Sequence, residues 1–171
     1  MKTTALVRDE PTAPDPILFR EAMSRVAAAV HIVTTDGPAG RGGTTMTAVA
    51  SVTDQPPTLL VCLARQSRLN AVLKANGVFA VNTLGAGAER LADVFAGRID
   101  IDYQDRFGQA DWTTGATGAP LLGGARVAFD CVVAAIHEVG THTIVFGEIR
   151  AVSLGDASGA LLYADRAYRT L

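Results

Sequence analysis

An antiparallel β-barrel with peripheral helices is the fold class this sequence predicts, and three observations carry it. Runs with the two-residue period of strands recur along the chain, from Val30–Thr35 to Ala160–Ala164. Their connections are short and rich in turn residues, as in Glu138-Val139-Gly140-Thr141-His142 and Gly155-Asp156-Ala157-Ser158-Gly159, which favours antiparallel pairing. Helical stretches are few, and no strand–helix–strand rhythm calls for a parallel sheet. Six or seven strands are expected.

The 171 residues suit one domain with a sizeable core. A hydrophobic fraction of 49% against 19% charged marks an ordered globular chain, and its apolar excess points to surface covered by a second subunit. The formal net charge of −2 offers no basic field for nucleic acid or an anionic membrane. No run is long and apolar enough to span a bilayer. Cys62 and Cys131 both fall in strand-like runs, and no leader pattern opens the chain, so two free thiols in a reducing cytoplasm are expected.

Met1 to Pro14 carries two prolines and little periodicity. It is expected to be a flexible arm, with residues 15–171 as the folded domain. Asp15-Pro16 suits an N-cap followed by proline at the first helical position. Phe19, Met23, Val26 and Val30 then follow at helical spacing, predicting a helix over about 16–28 with one face packed on the body. Between strand Val30–Thr35 and the next lies a glycine-rich loop, residues 36–43. It lacks the lysine and hydroxyl of a phosphate-binding loop and reads as a plain connection.

The segment Gly43 to Leu63, GTTMTAVASVTDQPPTLLVCL, predicts two strands meeting at the rigid corner Pro56-Pro57. In the first, Thr45, Thr47, Val49 and Ser51 alternate with Met46, Ala48, Ala50 and Val52, giving a face dominated by hydroxyls. The second, Thr58–Leu63, reads as buried. Small residues and hydroxyls beside a buried strand can seat a flat polar ligand, although hydroxyl rows are also common on solvated strands.

Further on, Ser67 is placed to cap a short helix, Leu69–Lys74, that ends at Asn76-Gly77. Arg65, Ser67 and Arg68 at its start form a candidate anion site; the competing reading is a capped surface helix. Val78–Leu84 is a buried strand interrupted by Asn82, whose amide needs a ligand edge or a neighbouring backbone as partner. Gly85-Ala86-Gly87 opens a helix over Ala88–Ala96 that Gly97 stops. This imitates a dinucleotide fingerprint, but Arg90 holds the third glycine position and no βαβ unit surrounds it. Ile99–Gly118 is irregular and carries Arg106, Phe107 and Trp112, consistent with a lid, a subunit contact or satellite packing. Ala125–Ile136 and Thr143–Leu154 complete the expected strands.

Several chemistries are excluded by inventory. His31, His137 and His142 with two isolated cysteines give no zinc-ligand spacing. No nucleophile elbow is present, and no carboxylate pair stands out for glycosidic work.

The stretch from Gly43 to Cys62 resembles the signature of the short-chain flavin reductases, and similarity extends from about Phe19 to Tyr168. Within that family it is most similar to the branches serving pyrimidine utilisation and 4-hydroxyphenylacetate monooxygenation. The resemblance implies a split β-barrel with Greek-key order, built as a homodimer. It also implies an NAD(P)H-dependent reductase that reduces FMN or FAD with NADH or NADPH and passes reduced flavin to a separate monooxygenase. Thr45, Met46, Thr47, Ala48, Ser51, Val52, Thr53, Leu63, Arg65, Ser67, Arg68 and Asn82 would seat the flavin. Phe95-Ala96-Gly97 matches a family element beside the flavin. Gly140-Thr141-His142 matches a Gly-x-His element, implying that His142 is the catalytic residue on the nicotinamide side. Asp165-Arg166-Ala167-Tyr168 matches a D-R-x-Y element, which adds Arg166 and Tyr168. The chain departs from the family at His31, Met46 and Arg169. Two alternatives stay open: a module that stores flavin or electrons, and a flavoenzyme that retains its flavin and acts on an organic substrate.

Overall fold

Asp15 and Pro16 open the first helix as their chemistry dictates. The Asp15 carboxylate accepts a hydrogen bond from Ile17 N at 2.8 Å, and helix α1 runs over Pro16–Ser24 in the computed structural model. The structure describes residues 13–156 and 159–171. The expected arm therefore lies almost wholly outside the described residues, as do two residues of the 155–159 connection. The expected helix over 16–28 is corrected in two respects. It stops at Ser24, and its apolar stripe does not pack on the body: Phe19, Met23 and Val26 are 57%, 50% and 54% exposed.

The chain then enters a two-residue strand, β1 (Ala28–Ala29), and β2 (His31–Thr35), every residue of which is buried. Next come β3 (Gly42–Met46), β4 (Val49–Asp54) and β5 (Pro57–Ala64). Helix α2 (Arg68–Asn76) follows, capped by the Ser67 hydroxyl and closed by Gly77 at φ 70°, a left-handed position where a side chain would be strained. Then come β6 (Val78–Thr83), helix α3 (Glu89–Phe95) and a 3-10 turn at Asp105–Gln109. A small hairpin, β7 (Trp112–Thr114) with β8 (Pro120–Leu122), leads into β9 (Val127–Val139) and β10 (His142–Leu154). The chain ends with β11 (Leu161–Ala164) and β12 (Ala167–Thr170).

Seven strands form one antiparallel sheet in the order β3-β2-β6-β9-β10-β5-β4. The predicted single strand across residues 43–52 is in fact two, β3 and β4, which lie at opposite edges of that sheet. Only Thr47 and Ala48 join them. Across a flat sheet the edges would stand roughly 29 Å apart, whereas three peptide steps span at most about 11 Å. The sheet must therefore curl until its edges nearly meet at Thr47-Ala48, although the two edge strands are not hydrogen-bonded to one another.

The curl separates two apolar cores. Val33, Leu59, Val61, Leu63, Phe79, Val81, Cys131 and Val145 line one, which α2 plugs with Leu69 and Leu73. The other gathers Val30, Ile32, Leu84 and Leu161 with Val94 and Phe95 of α3, plus Phe107 and Leu122. Ile32 of β2 faces one core and Val33 the other, so the strand is covered on both faces and even its polar residues, His31, Thr34 and Thr35, are buried. β5 was expected to be wholly buried; instead it alternates, with Leu59, Val61 and Leu63 inside. In the 99–118 stretch, Phe107 and Trp112 pack on Phe95 with ring centroids 5.3 and 5.5 Å away, so these aromatics form a satellite of the second core. Among the described residues no helix is long and apolar enough to cross a membrane.

Candidate active site

Two depressions flank the Thr47-Ala48 corner. The smaller, about 180 Å³, is lined by Val30, Thr45, Met46, Thr47, Ala96, Arg98, Tyr163 and Tyr168. The larger, about 530 Å³, is lined by Ala64, Arg65, Gln66, Gly140, Thr141 and His142. Ala48 O accepts from Cys62 N at 3.0 Å, and Ala64 lies two residues further along β5. One strand spacing and two residue rises put the depressions on the order of 10 Å apart.

The larger depression is built around a two-residue hairpin. β9 and β10 pair Val139 with His142, leaving Gly140 and Thr141 as the turn, and Gly140 takes φ 53°. Arg65 holds this turn against β5: its backbone N–H donates to Thr141 O at 2.9 Å and its guanidinium to Gly140 O at 3.3 Å. Glu138 pairs with Arg65 at 3.2 Å, accepts from Thr143 at 2.9 Å and also pairs with Lys74. The hydrogen bonds from Lys74 and then Thr143 hold the Glu138 carboxyl below the usual carboxylate range. His142 is exposed, and its Nδ1 lies 2.9 Å from the Thr141 hydroxyl, leaving Nε2 with no partner among the described residues.

The smaller depression has small and hydroxyl-bearing residues on one side and two tyrosines on the other. Thr45 donates to Ala92 O at 2.7 Å, which ties β3 to α3. Opposite, Asp165 and Arg166 both take positive φ, 50° and 58°, forming the tight turn that pairs Tyr163 with Tyr168 across β11 and β12. Arg98 lies close to both rings, with Cζ 5.4 and 5.8 Å from their centroids. It donates to Asp93 at 3.0 Å, Tyr163 Oη at 3.0 Å and Tyr168 Oη at 3.4 Å. Tyr168 in turn donates to Asp93 at 2.8 Å. Burial first, then this bond to Asp93, pushes the Tyr168 hydroxyl up to about 12.

The structure thus gathers Thr45, Met46, Thr47, Ala96 and Tyr168 at one depression and Arg65 and His142 at the other, with Ala48 between them. Other expected contacts are placed differently. Asn82 is fully buried and its amide is spent within the fold: it donates to Ile32 O and Thr34 Oγ1 and accepts from Leu122 N at 2.8 Å. Its partners are the neighbouring backbone and the Thr34 hydroxyl. Leu63 and Phe95 are core side chains. Ser51, Val52 and Thr53 lie exposed on edge strand β4, outside both depressions. Ser67 caps α2, while Arg68 stacks 4.3 Å from the centre of the Tyr103 ring. Gly97 ends α3 beside the Arg106 guanidinium. Arg166, at the hairpin tip, pairs with Glu21 of α1 at 2.7 Å.

Sequence reasoning missed Arg98, Tyr163 and Glu138. Arg98 directly follows Phe95-Ala96-Gly97, and Tyr163 mirrors Tyr168 about the Asp165-Arg166 turn; that Tyr-x-Asp-Arg-x-Tyr symmetry was the available signal. Neither cysteine offers a reactive thiolate. Both are free, and burial, with Asp130 adding to it, pushes Cys131 up to about 12, while burial alone raises Cys62.

The model of the family described as flavin reductase like domain matches residues 23–171. The FMN reductase (NADH) RutF of Stutzerimonas stutzeri is 53% identical over 154 residues, covering 90% of this chain and 87% of that protein. The NADH:FAD oxidoreductase SgcE6 of Streptomyces globisporus, solved in complex with NAD and FAD fragments, superposes with a TM-score of 0.84 at 30% identity, covering 95% of this chain and 96% of that one. The styrene monooxygenase flavin reductase of Pseudomonas putida S12 superposes with a TM-score of 0.78 at 26% identity, over 90% and 96% of the two chains. A family match over most of the chain and identity of this order leave one assignment: the chain belongs to the flavin reductase-like family.

Proposed function

We propose that this chain is an NADH-dependent FMN reductase whose reduced flavin leaves to serve a separate monooxygenase. The carrying observation is the pair of depressions beside Thr47-Ala48. One is walled by hydroxyls, small residues and tyrosines, and the other presents an imidazole edge and a guanidinium. The donor set fits a flavin: a flat ring needs small neighbours and hydrogen-bonding groups, and its anionic tail needs a cation such as Arg65 or Arg68. When bound, the flavin ring accepts hydride from the nicotinamide and carries the electrons. The chain's own work is to orient the two rings face to face and exclude water between them.

In this reading Thr45, Met46, Thr47, Ala48 and Ala96 hold the ring, and Arg65 with Arg68 draws the phosphate. His142, through its unengaged Nε2, bonds the nicotinamide carboxamide. The RutF relative supports FMN and NADH, while the SgcE6 similarity keeps FAD as a second flavin. The styrene monooxygenase reductase supports a partner oxygenase. We read the curled antiparallel sheet as a split β-barrel in Greek-key order within one domain, residues 15–171; the expected arm, 1–14, lies almost wholly outside the described residues. A second copy of the chain would cover the apolar stripe of α1, making a homodimer, and two free thiols suit the cytoplasm. The test is anaerobic mixing of protein, NADH and FMN. Bleaching of the flavin's visible absorbance at a rate proportional to enzyme is expected; no bleaching above the uncatalysed rate would refute the activity.

A further inference from the structure

We propose that Tyr163, not Tyr168, is the hydrogen-bond donor that this chain presents to the flavin in the smaller depression. The inference deepens the flavin-reductase reading and rests on it. The two tyrosines are near mirror images, paired across β11 and β12 with ring centroids 5.3 Å apart, and both line the cleft with Thr45, Met46 and Thr47. Their hydroxyl protons have different fates. Tyr168 donates to Asp93 at 2.8 Å, so its proton is spent inside the protein. Tyr163 accepts from Arg98 at 3.0 Å and has no acceptor among the described residues, so its own proton is left for whatever enters the cleft. A phenol that accepts from a guanidinium is a stronger donor, because polarisation passes along the chain of bonds.

Arg98 is the positioning residue of this arrangement. It follows the turn that ends α3, is anchored by Asp93 at 3.0 Å, and holds the Tyr163 oxygen in place. The ligand chemistry that matches is a carbonyl or ring nitrogen on the edge of a planar heterocycle, which the isoalloxazine ring supplies. Rings of the same size without such an edge would lose this bond.

Tyr163→Phe removes one oxygen and keeps the ring contact with Tyr168, so it separates hydrogen bonding from packing. Purified wild type, Tyr163→Phe and Tyr168→Phe, each checked for cooperative thermal unfolding, are titrated with FMN by flavin fluorescence, and the visible spectrum of bound flavin is recorded. Tyr163→Phe is expected to bind FMN about tenfold more weakly, the loss of one hydrogen bond to the ring edge, with bound-flavin bands displaced from those of wild type. Tyr168→Phe, which loosens Asp93 but leaves the Tyr163 hydroxyl in place, should displace the bands less than Tyr163→Phe does. Unchanged affinity and bands in Tyr163→Phe, or displaced bands in Tyr168→Phe alone, would overturn the assignment. Wild type that binds no FMN at all would overturn the flavin reading itself, a result distinct from either.

Discussion

At the scale of single residues, two histidines have opposite fates. His142 is exposed at a hairpin end with Nε2 unengaged, whereas His31 is buried in β2 with Nδ1 3.0 Å from the Thr83 hydroxyl. If His142 orients the nicotinamide, His142→Ala should raise KM for NADH about tenfold, the worth of one such bond, while FMN affinity stays at the wild-type value; steady-state kinetics with NADH varied decides it. Burial lowers His31 from its usual value to about 4. The folded protein therefore resists a proton that the unfolded chain accepts below about pH 6.5. Stability should be full above that pH and fall towards pH 4, by about 3 kcal/mol in all. Urea midpoints measured at pH 7 and pH 4.5 test this, and His31→Gln should flatten the difference. The sequence already separates them, His142 in the connection Glu138–His142 and His31 in a strand-like run, but what each ring meets follows only from the pairing of His142 with Ala64 and Val139 and of His31 with Met46 and Thr83.

Among the elements, the central strands read most clearly from sequence, because β2, β6, β9 and β10 carry period-two or continuous apolar runs bounded by turns. The caps of α1 and α2 were legible for a local reason: Asp15 and Ser67 bond donors two and three residues away, and such bonds need no tertiary knowledge. What escaped depends on distant partners. The break between β3 and β4 was hidden because Thr47 and Ala48 continue the alternation, yet their chain crosses from one edge of the sheet to the other. The β7–β8 hairpin and β12 are too short for any period to show. Asn82 could be flagged as needing a partner, but not assigned one, since its partners lie on β2 and β8. Asn82→Ala should therefore cost about 3 kcal/mol through the orphaned Leu122 amide and the lost bonds to β2, measured by urea unfolding, while flavin affinity per folded molecule stays unchanged. Ser67→Ala should cost about 1 kcal/mol as a lost cap. A larger fall in FMN affinity than in stability would show that the Ser67 hydroxyl also meets the phosphate.

For the whole molecule, the curl of the sheet is the fact from which function follows. Bringing its edges together at Thr47-Ala48 places the hydroxyl-rich end of β3 against α3 and the β11–β12 hairpin on one side. The β9–β10 turn with His142 stands on the other. Both depressions are open to solvent at their exposed residues; in the 99–118 stretch Phe107 and Trp112 are engaged in the second core, while Tyr103 accepts from Gly43 N and stacks against Arg68. Such a site suits flavin as a substrate that enters, is reduced and departs. If the exposed stripe of Phe19, Met23 and Val26 is the interface of the proposed homodimer, sedimentation at micromolar concentration should give a dimer, and Met23→Glu should shift it towards monomer. The central claim, that flavin turns over as a substrate, meets its most direct test in one assay. Protein is dialysed extensively, and NADH oxidation is followed as FMN is added back. The account predicts nearly colourless protein with negligible rate alone and a hyperbolic rise with FMN, half-saturating near the micromolar range, about −8 kcal/mol. Stoichiometric flavin surviving dialysis, with a rate indifferent to added FMN, would contradict it.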